Sequence, residues 1–345
     1  MSNPGQIMAQ EIAQSPAIIT RLLDSHSEFE AIANEIKSRG VTSAVLVARG
    51  TSDNAAHFLK YLIELHIGIP VGLASPSSVT IYGAPLHYSK TLVVAISQSG
   101  QSPDLLAFTE SAKKGGAFVL SMTNDVASPL AKIGARHIDL QAGPEIAVAA
   151  TKSYTSQLAA SLLLIAHWSG NTQLISRDSV RDFTLALEAE PSVLSFVQKL
   201  DPNLPIMVLG RGYAYANARE LALKIQETSH LTVQGMSSAD YLHGPIATLN
   251  NSTQLFVFNP SGMPSKAMAE SVKRIRQSVD RIIWIGSDSL MAGEDLRIAG
   301  STRENEALST VVDSITLQQI ALHFALKNGF NPDQPAGLNK ITRTL

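Results

Sequence analysis

Leu92-Val93-Val94-Ala95-Ile96-Ser97-Gln98-Ser99-Gly100-Gln101-Ser102 is a short apolar run that stops abruptly in hydroxyls and a glycine. The run reads as a buried strand, and Pro103 to Lys114 then follows a helical pattern. Val45-Leu46-Val47-Ala48-Arg49-Gly50-Thr51-Ser52 repeats the arrangement upstream, with a strand, a turn and a helix from Asp53 to His66. Backbone N–H groups at a helix start carry partial positive charge, and hydroxyls add neutral donors. Two such turns on neighbouring parallel strands would surround a phosphate, so the expected ligand is a phosphorylated metabolite.

Outward from these turns, strands and helices alternate. Val41 to Ala48, Val71 to Ala74, Thr91 to Ile96 and Phe118 to Thr123 read as strands. Ser128 to Ile133 is a helix, and Ala149 to Trp168 is a long one. This alternation predicts an α/β fold with a parallel, doubly wound sheet. Upstream, Met8 to Leu23 is helical and broken by Pro16, and Phe29 to Ile36 is a helix closed by Gly40. Asn171 to Lys199 is a helical connector interrupted near Pro191. The alternation then restarts with strands at Ile206 to Leu209, Leu255 to Phe258 and Ile282 to Ile285, and helices at Ala214 to Thr228 and Ser314 to Lys327. Arg211-Gly212 mirrors Arg49-Gly50, and Val257 to Gly262 mirrors Val94 to Gly100. The second half therefore reads as a degenerate copy of the first.

Bulk properties narrow the class. A chain of 345 residues with 45% apolar and 16% charged residues can form two globular domains. The net charge of −2 argues against a nucleic-acid platform. No apolar run reaches the length of a membrane span, and Met1 to Gly5 lacks the layout of a signal peptide, so the expected location is cytoplasmic. The sequence holds no cysteine, which removes disulfides, thiolate metal sites and a cysteine nucleophile. The histidines show no ligand spacing, so neither a metal nor a cofactor is expected.

Individual residues carry alternatives. Ser97, Gln98, Ser99 and Ser102 end a strand where open α/β sheets bind ligands; an ordinary capped turn is the plain alternative. No Gly-x-x-x-x-Gly-Lys loop is present, which argues against nucleotide hydrolysis. Lys224 and Glu227 share a helix face, where they could carry a proton and stabilise an oxyanion or simply form a surface ion pair. His243 lies in the turn Leu242-His243-Gly244-Pro245, able to titrate near neutral pH or to serve structurally. The polar tail Asp333 to Lys340 would ordinarily fray.

Together these segments resemble the sugar isomerase (SIS) family, in the form of the isomerase half of glutamine–fructose-6-phosphate aminotransferase. The resemblance rests on Arg49-Gly50-Thr51-Ser52, Ser97-Gln98-Ser99-Gly100, Glu145 to Lys152, Ala222 to Glu227, Leu242 to Pro245 and Asp333-Gln334-Pro335, in that order. It implies two SIS domains, over 29–170 and 196–330, a helical segment over 1–28, a connector over 171–195 and an active-site tail over 331–345. It implies that Ser52, Ser97, Gln98, Ser99 and Ser102 hold the sugar phosphate, and that the Val148 backbone meets the sugar. Glu227 would be the base between C1 and C2, and Lys224 would lie near the enolate oxygen. His243 would open the ring from a neighbouring subunit, which implies a homodimer. Lys340 would engage the open-chain sugar. Ala150, Gln101 and Gln226 depart from that family's serine, glutamate and lysine.

The family's synthase carries a glutaminase domain with a cysteine nucleophile in front, and this sequence has neither. The expectation is therefore the stand-alone deaminase direction, from glucosamine 6-phosphate to fructose 6-phosphate and ammonia. A phosphosugar aldose–ketose isomerase, or a deglycase of another amino-sugar phosphate, is the first alternative. A non-catalytic phosphosugar sensor is the second. No nucleic acid or membrane partner is expected.

Overall fold

The computed structural model describes residues 3–298, 300–301 and 303–340. The first two residues of the expected N-terminal segment and the last five of the expected tail lie outside the described residues, as do Ala299 and Thr302. The chain divides into two compact units, one holding residues 17–145, 152–177 and 339–340, the other residues 3–16, 146–151 and 178–338.

The pattern from Met8 to Leu23 forms α1 (Gln6–Ala13) and α2 (Ser15–Asp24). Pro16 stands near the start of α2, where its missing N–H leaves no helix bond unmade. Helix α1 belongs to the second unit, and from Ala17 the first unit runs through the rest of α2 and then α3 (His26–Ser38), β1 (Ser43–Val47), α4 (Thr51–His66), β2 (Val71–Leu73), α5 (Ser77–Thr80), β3 (Thr91–Ser97), α6 (Pro103–Lys114), β4 (Phe118–Thr123), α7 (Pro129–Ile133), β5 (Arg136–Asp139) and α8 (Lys152–Ser169). Its five strands are parallel in the order β2-β1-β3-β4-β5. Val93, Ala95 and Val119 pack against Leu105, Phe108 and Ala112 of α6 and Leu130 of α7. Leu92, Val94 and Ile96 point to the opposite sheet face, and α4 packs on β1 and β3 as well as on α8.

Helix α8 starts at Lys152 rather than at the expected Ala149. The reason is its cap: the Ser153 N–H donates to the Glu145 carboxylate at 3.0 Å, which satisfies an amide that a longer helix would have bonded internally.

The second unit runs through α9 (Val180–Glu188), α10 (Glu190–Val197), β6 (Ile206–Gly210), α11 (Ala214–Ser229), β7 (Val233–Ser237), α12 (Ser238–Tyr241), β8 (Gln254–Asn259), α13 (Met263–Ile275), β9 (Ile283–Gly286), β10 (Leu296–Ile298) and α14 (Glu306–Lys327). Its strands are parallel in the order β7-β6-β8-β9-β10, the same order as the first sheet with each strand replaced by its counterpart. The expected repeat is thus present at the level of topology. Leu209, Val257 and Trp284 pack with Met268, Val272 and Ile275 of α13, while α11 packs against α14. Almost every residue of α14 is buried, including the polar Thr310, Asp313 and Gln318. Among the described residues no helix is long and apolar enough to cross a membrane, and no cluster of three metal-ligating side chains occurs.

Candidate active site

In the first unit the strand order reverses between β1 and β3, which pair directly with Val47 opposite Ala95. A crevice outside the carboxyl ends of strands forms at such a reversal. The turns entering α4 and α6 stand at these two strand ends. Their helices bring N-terminal partial positive charge to the crevice.

Ser97 is buried and its Oγ accepts the Gly100 N–H at 3.1 Å; the Ser99 Oγ accepts the Gln101 N–H at 3.3 Å. Ser102 is the N-cap of α6 but makes no side-chain cap bond. Ser52 is buried in the first turn of α4, where the Gln157 amide donates to its Oγ at 2.9 Å. Arg49 pairs with Asp104 at 2.9 Å and so ties the first turn to the start of α6. Gly100 is required here, because its φ is +62° and a Cβ would lie 2.3 Å from the Ser128 Oγ.

Lys340 belongs to the same unit. Its Nζ donates to the Glu145 carboxylate at 2.8 Å, with the Glu145 side chain fully shielded from solvent. The described part of the tail is therefore tied down at that point rather than frayed.

In the second unit, α11 carries the charged residues. Lys224 is completely buried, 3.5 Å from the equally buried Glu220 and in a close ion pair with Glu227, whose side chain is 24% exposed. The alternative of a surface ion pair is overturned by this burial. Glu220 is a residue that the sequence reading missed. It stands four positions before Lys224, a spacing that puts both on one helix face. The exposed Gln226 donates to the Val233 carbonyl and so fixes the α11–β7 connection. The Val148 N–H donates to the Asp333 carbonyl at 3.0 Å, and the Asp333 carboxylate accepts the Met8 N–H at 2.8 Å and the Ile7 N–H at 3.2 Å. His243 is exposed in the turn after α12, with its N–H donating to the Asp240 carbonyl at 3.0 Å.

The matching strand reversal of the second unit, between β6 and β8, is furnished differently. Burial raises the Glu306 carboxyl to about 7 against a hydrogen bond from the Tyr213 N–H, the amide just ahead of α11. Burial likewise raises Asp313, on the same helix, to about 7 although the Ser301 N–H and Arg297 oppose the shift. Where the turns of the first copy offer hydroxyls, the Tyr213 amide of the second already meets the Glu306 carboxyl.

The SIS domain model matches residues 39–167 and 201–327, one segment on each sheet. The chain belongs to the SIS domain family. Over 338 residues it is 31% identical to glutamine–fructose-6-phosphate aminotransferase (isomerizing) of Methanothermobacter thermautotrophicus, covering 96% of this chain and 56% of that protein. The chain thus spans little more than half the length of this curated relative. A crystal structure provisionally described as a phosphosugar isomerase from Silicibacter pomeroyi DSS-3 is 30% identical, covers 94% of this chain and 99% of that one, and has a TM-score of 0.79. The C-terminal domain of glucosamine-fructose-6-phosphate aminotransferase from Francisella tularensis has a TM-score of 0.86 over 95% of this SIS chain and 98% of that domain. At 22% identity it supports the fold alone.

Proposed function

We propose that this SIS protein is a phosphosugar enzyme that moves a proton between C1 and C2, and that its substrate is glucosamine 6-phosphate, released as fructose 6-phosphate and ammonia. The observation that carries the reading is the charged row on α11, with Lys224 fully buried between Glu220 and the part-exposed Glu227. A carboxylate that reaches solvent beside a shielded ammonium suits proton abstraction next to a carbonyl. The relative's name, with its fructose 6-phosphate and its amino transfer, supports the sugar and the nitrogen.

In this reading Ser52, Ser97, Gln98, Ser99 and Ser102 hold the phosphate, and the Val148 backbone borders the sugar. His243, supplied by the second subunit of a homodimer, opens the pyranose to an aldehyde at C1. Glu227 takes the C2 proton, giving an enolamine, and Lys224 stabilises the charge on O1. Glu227 then returns the proton to C1, which leaves an imine at C2. Water adds to C2, the C–N bond breaks, and ketone and ammonia leave in equal amounts. Lys340 engages the open-chain sugar. Each proton-transfer group is worth roughly 10²–10⁴ in rate.

A second reading, an aldose–ketose isomerase whose substrate has oxygen at C2, is favoured by the Silicibacter pomeroyi structure. Incubation with glucosamine 6-phosphate, without glutamine, distinguishes the two. Equal release of ammonia and fructose 6-phosphate, lost in Glu227→Gln, is the expected result. Turnover of a phosphosugar without ammonia supports the isomerase, and no turnover across a phosphosugar panel refutes both.

A further inference from the structure

Glu145 has an unusual position for a carboxylate. Its side chain is fully shielded from solvent, which disfavours a charge unless partners are close. The Ser153 N–H donates to Oε1 at 3.0 Å, and the Ser153 hydroxyl donates to Oε2 at 2.8 Å. Both donors stand in the first turn of α8, so the carboxylate is fixed against a rigid, buried helix. Oε2 also accepts from the Lys340 Nζ at 2.8 Å, across a sequence separation of 195 residues. The lysine side chain is 23% exposed. The pair therefore joins an immobile buried anion to a cation that retains access to solvent.

A helix cap does not need a carboxylate in so dry a place, since a serine or asparagine caps as well. The lysine gains from one, because a carboxylate binds an ammonium more strongly than a neutral acceptor does and so limits where a flexible side chain sits. We propose that Glu145 is the positioning residue for Lys340: it holds the tail lysine at the carboxyl end of the first unit and sets where that amine meets the sugar. This rests on the role given above to Lys340. It adds that the lysine is placed by a residue of the first unit rather than by the tail itself.

Hydrogen exchange of peptides covering 331–345, together with steady-state kinetics, tests the proposal in wild type, Glu145→Gln, Lys340→Met and the double variant. Glu145→Gln keeps an acceptor for the Ser153 N–H and removes the charge. It is expected to speed tail exchange to the level of Lys340→Met and to lower kcat about 10- to 100-fold with KM changed little, as for a misplaced reacting group. In the Lys340→Met background it should change kcat less than twofold, because the two act as one unit. Tail exchange unaltered by Glu145→Gln, or kcat effects that simply multiply, would overturn it and leave Glu145 as a cap. Ser153→Ala, which leaves the ion pair in place, should alter neither tail exchange nor kcat appreciably; loss of both would equally refute the assignment. The exchange measurement needs no turnover. A wild-type chain that converts no phosphosugar would thus sink the proposed function while the Glu145 contact is still judged.

Discussion

Replacing Lys224 by methionine should separate the two roles packed into α11. The Lys224–Glu220 pair has both side chains fully shielded at 3.5 Å, so it lies in a poorly screened environment. At an effective dielectric of about 20 the attraction is about 5 kcal/mol. Removing one partner of a buried pair costs about 3–5 kcal/mol. For a domain of this size each kcal/mol moves Tm by roughly 2–4 °C, so Lys224→Met should lower the melting of the second unit by about 6–20 °C. Glu227 is part-exposed and screened, and Glu227→Gln should cost less than about 1 kcal/mol. Both variants should lose about 10²–10⁴ in kcat. Adding Glu220→Gln to Lys224→Met removes the stranded carboxylate and should recover part of the lost stability without recovering turnover. Differential scanning calorimetry and the ammonia assay read the two effects. A Lys224→Met protein melting within about 2 °C of wild type, or a double variant no more stable than the single one, would refute the buried-pair reasoning.

Other expectations follow from single contacts. Gly100→Ala forces a Cβ to within 2.3 Å of the Ser128 Oγ at a positive φ, and should cost about 1–3 kcal/mol and weaken phosphate binding, read by thermal melting with and without substrate. Asp313 is raised to about 7 by burial, so it holds its proton more tightly folded than unfolded. The stability it contributes is full below its unfolded value of about 3.9 and is lost as pH climbs to about 7; Asp313→Asn should flatten the fall in urea midpoint between pH 5 and 7.5. Inactive His243→Ala and Glu227→Ala proteins, mixed and allowed to exchange subunits, should regain part of the activity; none after proven exchange contradicts the shared site.

The legible part of the fold is its interior. β1, β3, β4, β6, β8 and β9 lie inside the two sheets, and strands covered on both faces read as unbroken apolar runs. The strands that escaped the sequence reading, β5, β7 and β10, all lie at sheet edges. Arg136-His137-Ile138-Asp139 buries only Ile138. In β7 the middle is Gln234-Gly235, and Gly235 is there because a Cβ would lie 2.3 Å from the Ala218 carbonyl of α11. An edge strand chosen for close backbone approach leaves no hydrophobic trace. Helix α13 went unread although Met268, Val272 and Ile275 recur at helical spacing, and α14 begins at Glu306 rather than at the expected Ser314, with Leu308, Val311 and Val312 extending its apolar face. Among the candidate site residues, strand ends mark the serine turns, and a shared helix face marks Lys224 and Glu227. The roles of Glu220 and Glu145 were not legible, since a buried carboxylate looks like a surface one until its burial is seen.

The duplicated frame explains why the charges divide as they do. Both sheets place a turn and a helix N-terminus at the same strand reversal, and by backbone alone either could hold a phosphate. In the second unit the Tyr213 amide ahead of α11 already donates to Glu306, and Asp313 sits on the same helix. The Glu306 carboxyl thus takes an amide that a phosphate there would need, and once ionised it would repel a dianion. In the first unit the corresponding positions carry Ser52, Ser97 and Ser99, neutral groups that can turn a hydroxyl toward an anion. In the proposed reading the helix after β6 therefore does not hold the phosphate, and its buried Lys224–Glu220 pair and part-exposed Glu227 carry the proton transfer instead.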